Sequence, residues 1–103
     1  MITKEQLSED FAVRIINLEK YLRLIKGEKI CSYQIAKSGT SIGANIAEGE
    51  CAESDSDLIH KLSISQKEAN ETLYWLRVLY RTEYIDKETF DDLYPKCESL
   101  KKF

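Results

Sequence analysis

One proline and four glycines in 103 residues supply too few turn-formers for an all-β chain. Cysteine is also sparse. Cys31, Cys51 and Cys97 are an odd number, far apart and without a Cys-x-x-Cys pair, which argues against both a disulfide framework and a zinc site. Three reduced thiols suit a cytoplasmic protein. No stretch reaches eighteen consecutive apolar residues, and no apolar segment follows Met1 as in a signal peptide. Neither a membrane span nor classical secretion is therefore expected. An excess of basic charge is missing too. Fifteen basic and eighteen acidic residues leave a formal net charge of -3, which opposes nucleic-acid binding by the whole surface and leaves room only for a local basic strip.

What is present is helical periodicity in a chain of single-domain length. The most informative stretch runs from Ser38 to Glu48. Ile35, Ile42 and Ile46 share one helix face. Ala36, Thr40, Gly43 and Ala47 form a row of small residues beside it, with Gly39 between the two. Each glycine inside a helix costs about 0.5–1 kcal/mol relative to alanine. Two of them need a compensating gain, and the expected gain is close approach of a neighbouring backbone. Close helix packing is therefore expected at Ala36, Gly39, Gly43 and Ala47.

Taken in order, the pattern predicts four helices, over about residues 8–26, 30–51, 55–82 and 87–101. Ser8 is the expected first N-cap, and Phe11, Ile15, Leu18, Leu22 and Ile25 make a heptad-like seam closed by Gly27. Ser54 should cap the third helix, with Asp57 as a short version of the capping-box acid. The third helix carries the seam Leu58, Leu62, Ser65, Ala69, Thr72, Leu76 and Leu79. Asp86 should cap the fourth, whose face is Phe90, Leu93, Tyr94, Cys97 and Leu100. Pro95 lies inside it, so a kink or break is expected there. Four amphipathic helices on short connections predict an all-α, antiparallel up-down-up-down bundle forming one domain, 1–103.

A bundle core needs one apolar stripe per helix. Val13, Tyr21 and Leu24 on the first helix, and Ile64, Tyr74, Trp75 and Val78 on the third, lie off the seams. This surplus predicts a homo-oligomer.

The string Ser38-Gly-Thr-Ser-Ile-Gly-Ala-Asn-Ile-Ala-Glu48, followed by Ser54, His60-Lys-Leu-Ser63, Lys67-Glu68, Glu71 and Tyr74-Trp-Leu76, resembles a bacterial four-helix-bundle family. That family is known for members encoded in intervening sequences of 23S ribosomal RNA genes and is sometimes labelled S23; the accessory subunit of diversity-generating retroelements looks like a relative. The resemblance covers nearly the whole chain. It implies a protomer that assembles as a ring, typically a pentamer, without enzymatic activity. In the retroelement relative, basic surface binds nucleic acid and a reverse transcriptase. Here Glu28 to Asp57 carries two lysines against six acids, whereas Leu58 to Thr82 carries Lys61, Lys67, Arg77 and Arg81 against Glu68 and Glu71.

Asn45, Glu48, His60, Lys67, Glu68 and Glu71 form the one polar constellation worth testing. There is no Glu-x-x-His, so neither a di-iron site nor any other metal or cofactor is expected. Ion pairing and hydrogen bonding, within or between subunits, are the simpler account, with Asn45 fixing register at an interface. Ser38, Ser41 and Ser63 lack a nucleophile context, so no catalytic residue and no small-molecule substrate is expected. Tyr74 and Trp75, with Tyr80 and Tyr84, lie near Arg77 and Arg81. They suit a protein interface, or alternatively single-stranded RNA or DNA stacked on aromatics beside Lys61, Lys67, Arg77 and Arg81. The primary expectation is a non-enzymatic assembly or adaptor module. The alternative is an accessory protein for nucleic acid or a nucleic-acid enzyme.

Overall fold

In a computed structural model describing residues 1–103, the chain is all-helical, with four helices and no strand. Helix α1 spans Lys4–Leu24, α2 Cys31–Gly49, α3 Asp55–Arg81 and α4 Lys87–Lys101. Each start has a local cause. Thr3, Ser54 and Asp86 accept hydrogen bonds from the backbone N–H groups of Gln6, Asp57 and Thr89, satisfying donors that have no partner in the helix. Helix α2 has no such side chain at its own cap. Instead the Glu28 carboxylate accepts from the N–H groups of Ile30, Cys31 and Ser32 at 2.7–3.2 Å, which also sets a negative charge against the positive end of the helix.

Several boundaries differ from expectation. Helix α1 begins a turn before Ser8, which is buried and donates its hydroxyl to the Glu5 carbonyl at 2.8 Å. Thr3 displaces it as cap because Lys4 to Leu7 are competent helix formers. The helix stops at Leu24, so Ile25 falls at the C-cap and is 71% exposed rather than in the seam. Gly27 then turns the chain at φ 69°, letting the Glu28 N–H reach the Leu22 carbonyl at 2.9 Å. Asp57 reaches back to the Glu53 N–H, one residue before the box position. Pro95 does not break α4. Pro95 and Asp91 are both exposed, so the carbonyl that loses its helical donor sits on the water-facing side.

Neighbouring helices meet with residue numbers running in opposite senses. Ile15 lies against Gly39 and Ser8 against Gly43. Ser38 meets Thr72, Ile42 meets Ser65, and Gly49 faces Leu58. Tyr80 stacks on Phe90, and the Cys97 thiol donates to the Ala69 carbonyl. Arg14 and Asp92 tie α1 to α4. The shared core holds Phe11, Ile15, Leu22, Ile35, Ile42, Ile46, Leu76, Leu79 and Leu93, all essentially inaccessible. Burying each such side chain contributes about 1.5–3 kcal/mol. The buried serine and threonine hydroxyls are paired. Thr72 shares its hydroxyl with Ser38 at 2.8 Å and donates to the Glu68 carbonyl, and Ser65 donates to the Ile42 carbonyl at 3.0 Å.

Candidate functional site

Helix α2 is the spine from which the candidate residues are placed. An ideal Cβ on Gly39 would stand 2.8 Å from Ile15 Cγ2, and one on Gly43 would stand 2.9 Å from Ser8 Oγ and 3.3 Å from the Ser8 carbonyl oxygen. Both glycines are therefore used inside the protomer, to seat α1. At Gly39 the neighbour is a side chain; at Gly43 the Ser8 backbone itself comes close. The rest of the small-residue row is not enclosed. Ala36 is half-buried and Ala47 is exposed, and Ala47 with Thr40, Gly43 and Ala44 lines a groove against Ser8 and Ala12 of α1. Thr40 and Ser41 spend their hydroxyls on the Ala36 and Lys37 carbonyls one turn back, both at 2.7 Å.

The polar constellation is divided between α2 and α3, and no side chain among its six members is hydrogen-bonded or ion-paired to another. Glu48 pairs with Lys61 at 3.5 Å across the two helices. Asn45 is half-buried and donates to the Ser41 carbonyl of its own helix at 2.8 Å, so within the protomer it bridges nothing. Lys67 and Glu71, four residues apart, form no ion pair with each other or with Glu68. His60, Lys67 and Glu71 are exposed, and Glu68 is half-buried with its carbonyl taken by Thr72. Long side chains on a wet helix surface lose rotamer freedom on pairing, which leaves little net gain.

The aromatic residues divide in two. Tyr80, Phe90 and Tyr94 form a stack with centroid spacings of 4.6 and 4.8 Å, fastening α4 to α3. Arg77 donates to the Tyr94 hydroxyl at 2.8 Å, so it belongs partly to this ladder. Tyr74 stands 50% exposed, with Trp75 edge-on to it at 5.0 Å. The Trp75 indole N–H is enclosed without an acceptor.

The four cations expected at a nucleic-acid strip do not form one patch. Arg77 and Arg81 border a depression of about 380 Å3 with Tyr74, Val78 and Thr82. Lys61 lies twenty residues from Arg81, about 30 Å along the helix at its rise per residue, and is engaged by Glu48. A charge count over Leu58 to Thr82 hides this separation, because it sums cations over the whole length of the helix.

Sequence reasoning missed two features. Asp92 lies between Lys96 and Arg14 and accepts from both, and these cations hold its carboxyl below the usual aspartate range. Its spacing of four to Lys96 signals half of that arrangement; Arg14 is distant in sequence. The second is an exposed apolar corner at the α1–α2 connection, where Leu24, Ile25, Ile30 and Tyr33 are 62–74% accessible. Of these, Leu24 is marked by the sequence as surplus apolar surface and Ile25 is placed in the seam, whereas Ile30 and Tyr33 carry no such mark. No group of three or more His, Cys, Asp or Glu side chains converges as a metal cage. No helix is long and apolar enough to cross a membrane.

A family model described as "23S rRNA-intervening sequence protein" matches residues 3–103. A crystal structure of a protein of unknown function from the S23 ribosomal protein family of Bacteroides thetaiotaomicron VPI-5482, at 1.70 Å resolution, is similar at 49% identity and a TM-score of 0.96. That likeness covers 97% of this chain and 93% of the other. No curated protein matches.

Proposed function

The chain belongs to the 23S rRNA-intervening sequence protein family, and from that premise we propose that it is a non-enzymatic assembly module. The protomer is an antiparallel up-down-up-down bundle, a topology supported by the opposed numbering at every helix contact. It works as a homo-oligomeric ring, of the five-fold kind that the family resemblance implies, in the cytoplasm. The observation that carries this reading is the apolar corner. Leu24, Ile25, Ile30 and Tyr33 stand together within ten residues of chain, each more than half exposed. Four large apolar side chains left in water around one helix connection suit a contact surface. In a ring, each copy presents the corner to a different surface of the next copy. Asn45, Glu48, His60, Glu68 and Glu71, with Tyr74 and Trp75, supply the polar part of the contact.

Sedimentation equilibrium tests this. The wild-type chain should sediment as a multiple of 11.9 kDa, and Leu24→Asp with Ile30→Asp should return it to a single subunit of unchanged helicity. A wild-type chain that remains a single subunit at high concentration refutes the reading.

A second reading, an accessory protein for RNA, DNA or a nucleic-acid enzyme, is favoured by one observation. The half-exposed ring of Tyr74 shares its depression with two guanidinium groups, Arg77 and Arg81. That combination suits stacking on an unpaired base beside a phosphate. Binding of a single-stranded oligonucleotide should then weaken steeply between low and moderate salt and be lost in Arg81→Ala. Salt-independent or absent binding removes this reading.

A further inference from the structure

The largest cavity, about 800 Å3, lies where α1 meets α4, beside the α3–α4 turn. Tyr21, Tyr80 and Tyr84 line it, and so do Glu83 and Asp86. The hydroxyls of the three tyrosines have no hydrogen-bond partner, and the Glu83 carboxylate has no ion-pair partner. This leaves a tyrosine-lined space with an uncompensated acid.

Glu83 breaks two local rules at once. It occupies the C′ position of α3, with φ 64°, where its N–H donates to the Tyr80 carbonyl and the next N–H, of Tyr84, donates to the Leu79 carbonyl. That hydrogen-bond pair is the Schellman motif, whose C′ residue is ordinarily glycine. A carboxylate is also the wrong charge for the negative end of a helix. A residue that opposes both the backbone and the dipole, with its side chain at a cavity, points to a use outside the fold.

The electrostatics indicate the sign of the ligand. Three helix ends meet here, the C-termini of α1 and α3 and the N-terminus of α4; Asp86 caps the last by accepting from the Thr89 N–H, which leaves the two negative ends without a counter-charge from a cap. Two of the cations lining the cavity are already neutralised, Arg14 by Asp92 and Lys87 by Asp91. The third, Lys26, has its ammonium 6.0 Å above the centre of the Tyr21 ring. Tyrosine faces attract such a charge, and cages of them hold ammonium ligands. Lys26 is exposed and free of any carboxylate, so it stands in for a cation that can replace it.

We propose that this cavity takes an alkylammonium group, of the kind carried by a polyamine or a lysine side chain, with Tyr21, Tyr80 and Tyr84 as its aromatic wall and Glu83 as its counter-ion. The site does not rest on the assembly reading above.

Fluorine NMR of the intact chain labelled with 3-fluorotyrosine tests it. The six tyrosine signals are assigned by single Tyr→Phe changes. Tetramethylammonium chloride, spermidine and Nα-acetyl-lysine amide are titrated against sodium chloride of equal ionic strength. Saturable shifts confined to Tyr21, Tyr80 and Tyr84 are expected, and the tighter of the last two probes tells whether a free amine or a side chain is the better source. Glu83→Gln should weaken tetramethylammonium binding about fivefold, and Lys26→Ala should strengthen it about threefold, since the internal competitor is gone. Shifts that sodium chloride reproduces overturn the proposal. So does loss of binding in Lys26→Ala, or saturation by inorganic phosphate instead, because either result makes the ligand an anion.

Discussion

Replacing Gly39 with alanine sets two known effects against each other, and the structure decides which wins. Alanine inside a helix is favoured over glycine by about 0.5–1 kcal/mol, so a site with free space would be stabilised. At Gly39 the new Cβ would stand 2.8 Å from Ile15 Cγ2, 3.0 Å from Cγ1 and 3.3 Å from Cβ. The Ile15 Cβ and its branches cannot swing aside, because Ile15 is wholly buried and β-branched. The methyl group must push α1 away from α2, and overpacking of this kind costs about 1–3 kcal/mol. The expected net loss is about 1–2 kcal/mol. Urea unfolding, followed by circular dichroism at one fixed protomer concentration, measures it. The cause can be isolated with Ile15→Ala, which removes two of the three contacting atoms. That change alone leaves a cavity costing about 2–5 kcal/mol. In the double variant the added methyl fills part of it, so the combined loss should fall below the sum of the singles by at least about 1 kcal/mol. A neutral or stabilising Gly39→Ala, or strict additivity with Ile15→Ala, would show that α1 is not seated on this glycine.

Other outcomes follow from the same coordinates. Glu83→Gly relieves the left-handed backbone and should raise stability by about 1 kcal/mol while weakening tetramethylammonium binding; an unchanged urea midpoint would refute the strain argument. Burial pushes the Cys97 thiol up to about 12, whereas Cys51 is exposed. A thiol reagent at pH 8 should therefore label Cys51 in seconds and Cys97 only on unfolding; equal rates would contradict the packing of α4. The Thr89 N–H holds Asp86 below the usual aspartate range. Its carboxylate thus contributes stability above the ordinary aspartate pKa, and that contribution is lost as pH falls through the lower folded value. The acid limb of a pH–stability curve should flatten in Asp86→Asn, and an unaltered limb would mean the cap carries no such linkage.

Much of this molecule was legible without coordinates, because helix formation depends on neighbours three and four residues away. The seams of α1 and α3 were visible as periodicity, and Ser54 and Asp86 as caps, since each acts within one turn of itself. The specific string around Gly39 and Gly43 pointed to the family. Local readings failed at the first cap, at Ile25 and at a break by Pro95, where competing local choices were close in energy. Thr3 and Ser8 are both good caps, and the buried surface against Gly43 claimed Ser8. Pro95 breaks a helix only where the lost hydrogen bond is not replaced, and water reaches that side of α4.

The tertiary structure decided what depends on direction and distance across helices. It seated α1 on Gly39 and Gly43 and left Ala47 exposed. It paired Lys61 of α3 with Glu48 of α2 and brought Arg14 to Asp92 across seventy-eight positions. It placed three tyrosines and one strained glutamate around a common space. Periodicity tells a residue only which side of its own helix it occupies. Which neighbour meets that side, and at what height, is settled by packing, because the core admits one register in which Ile15 fits over Gly39 and Thr72 reaches Ser38.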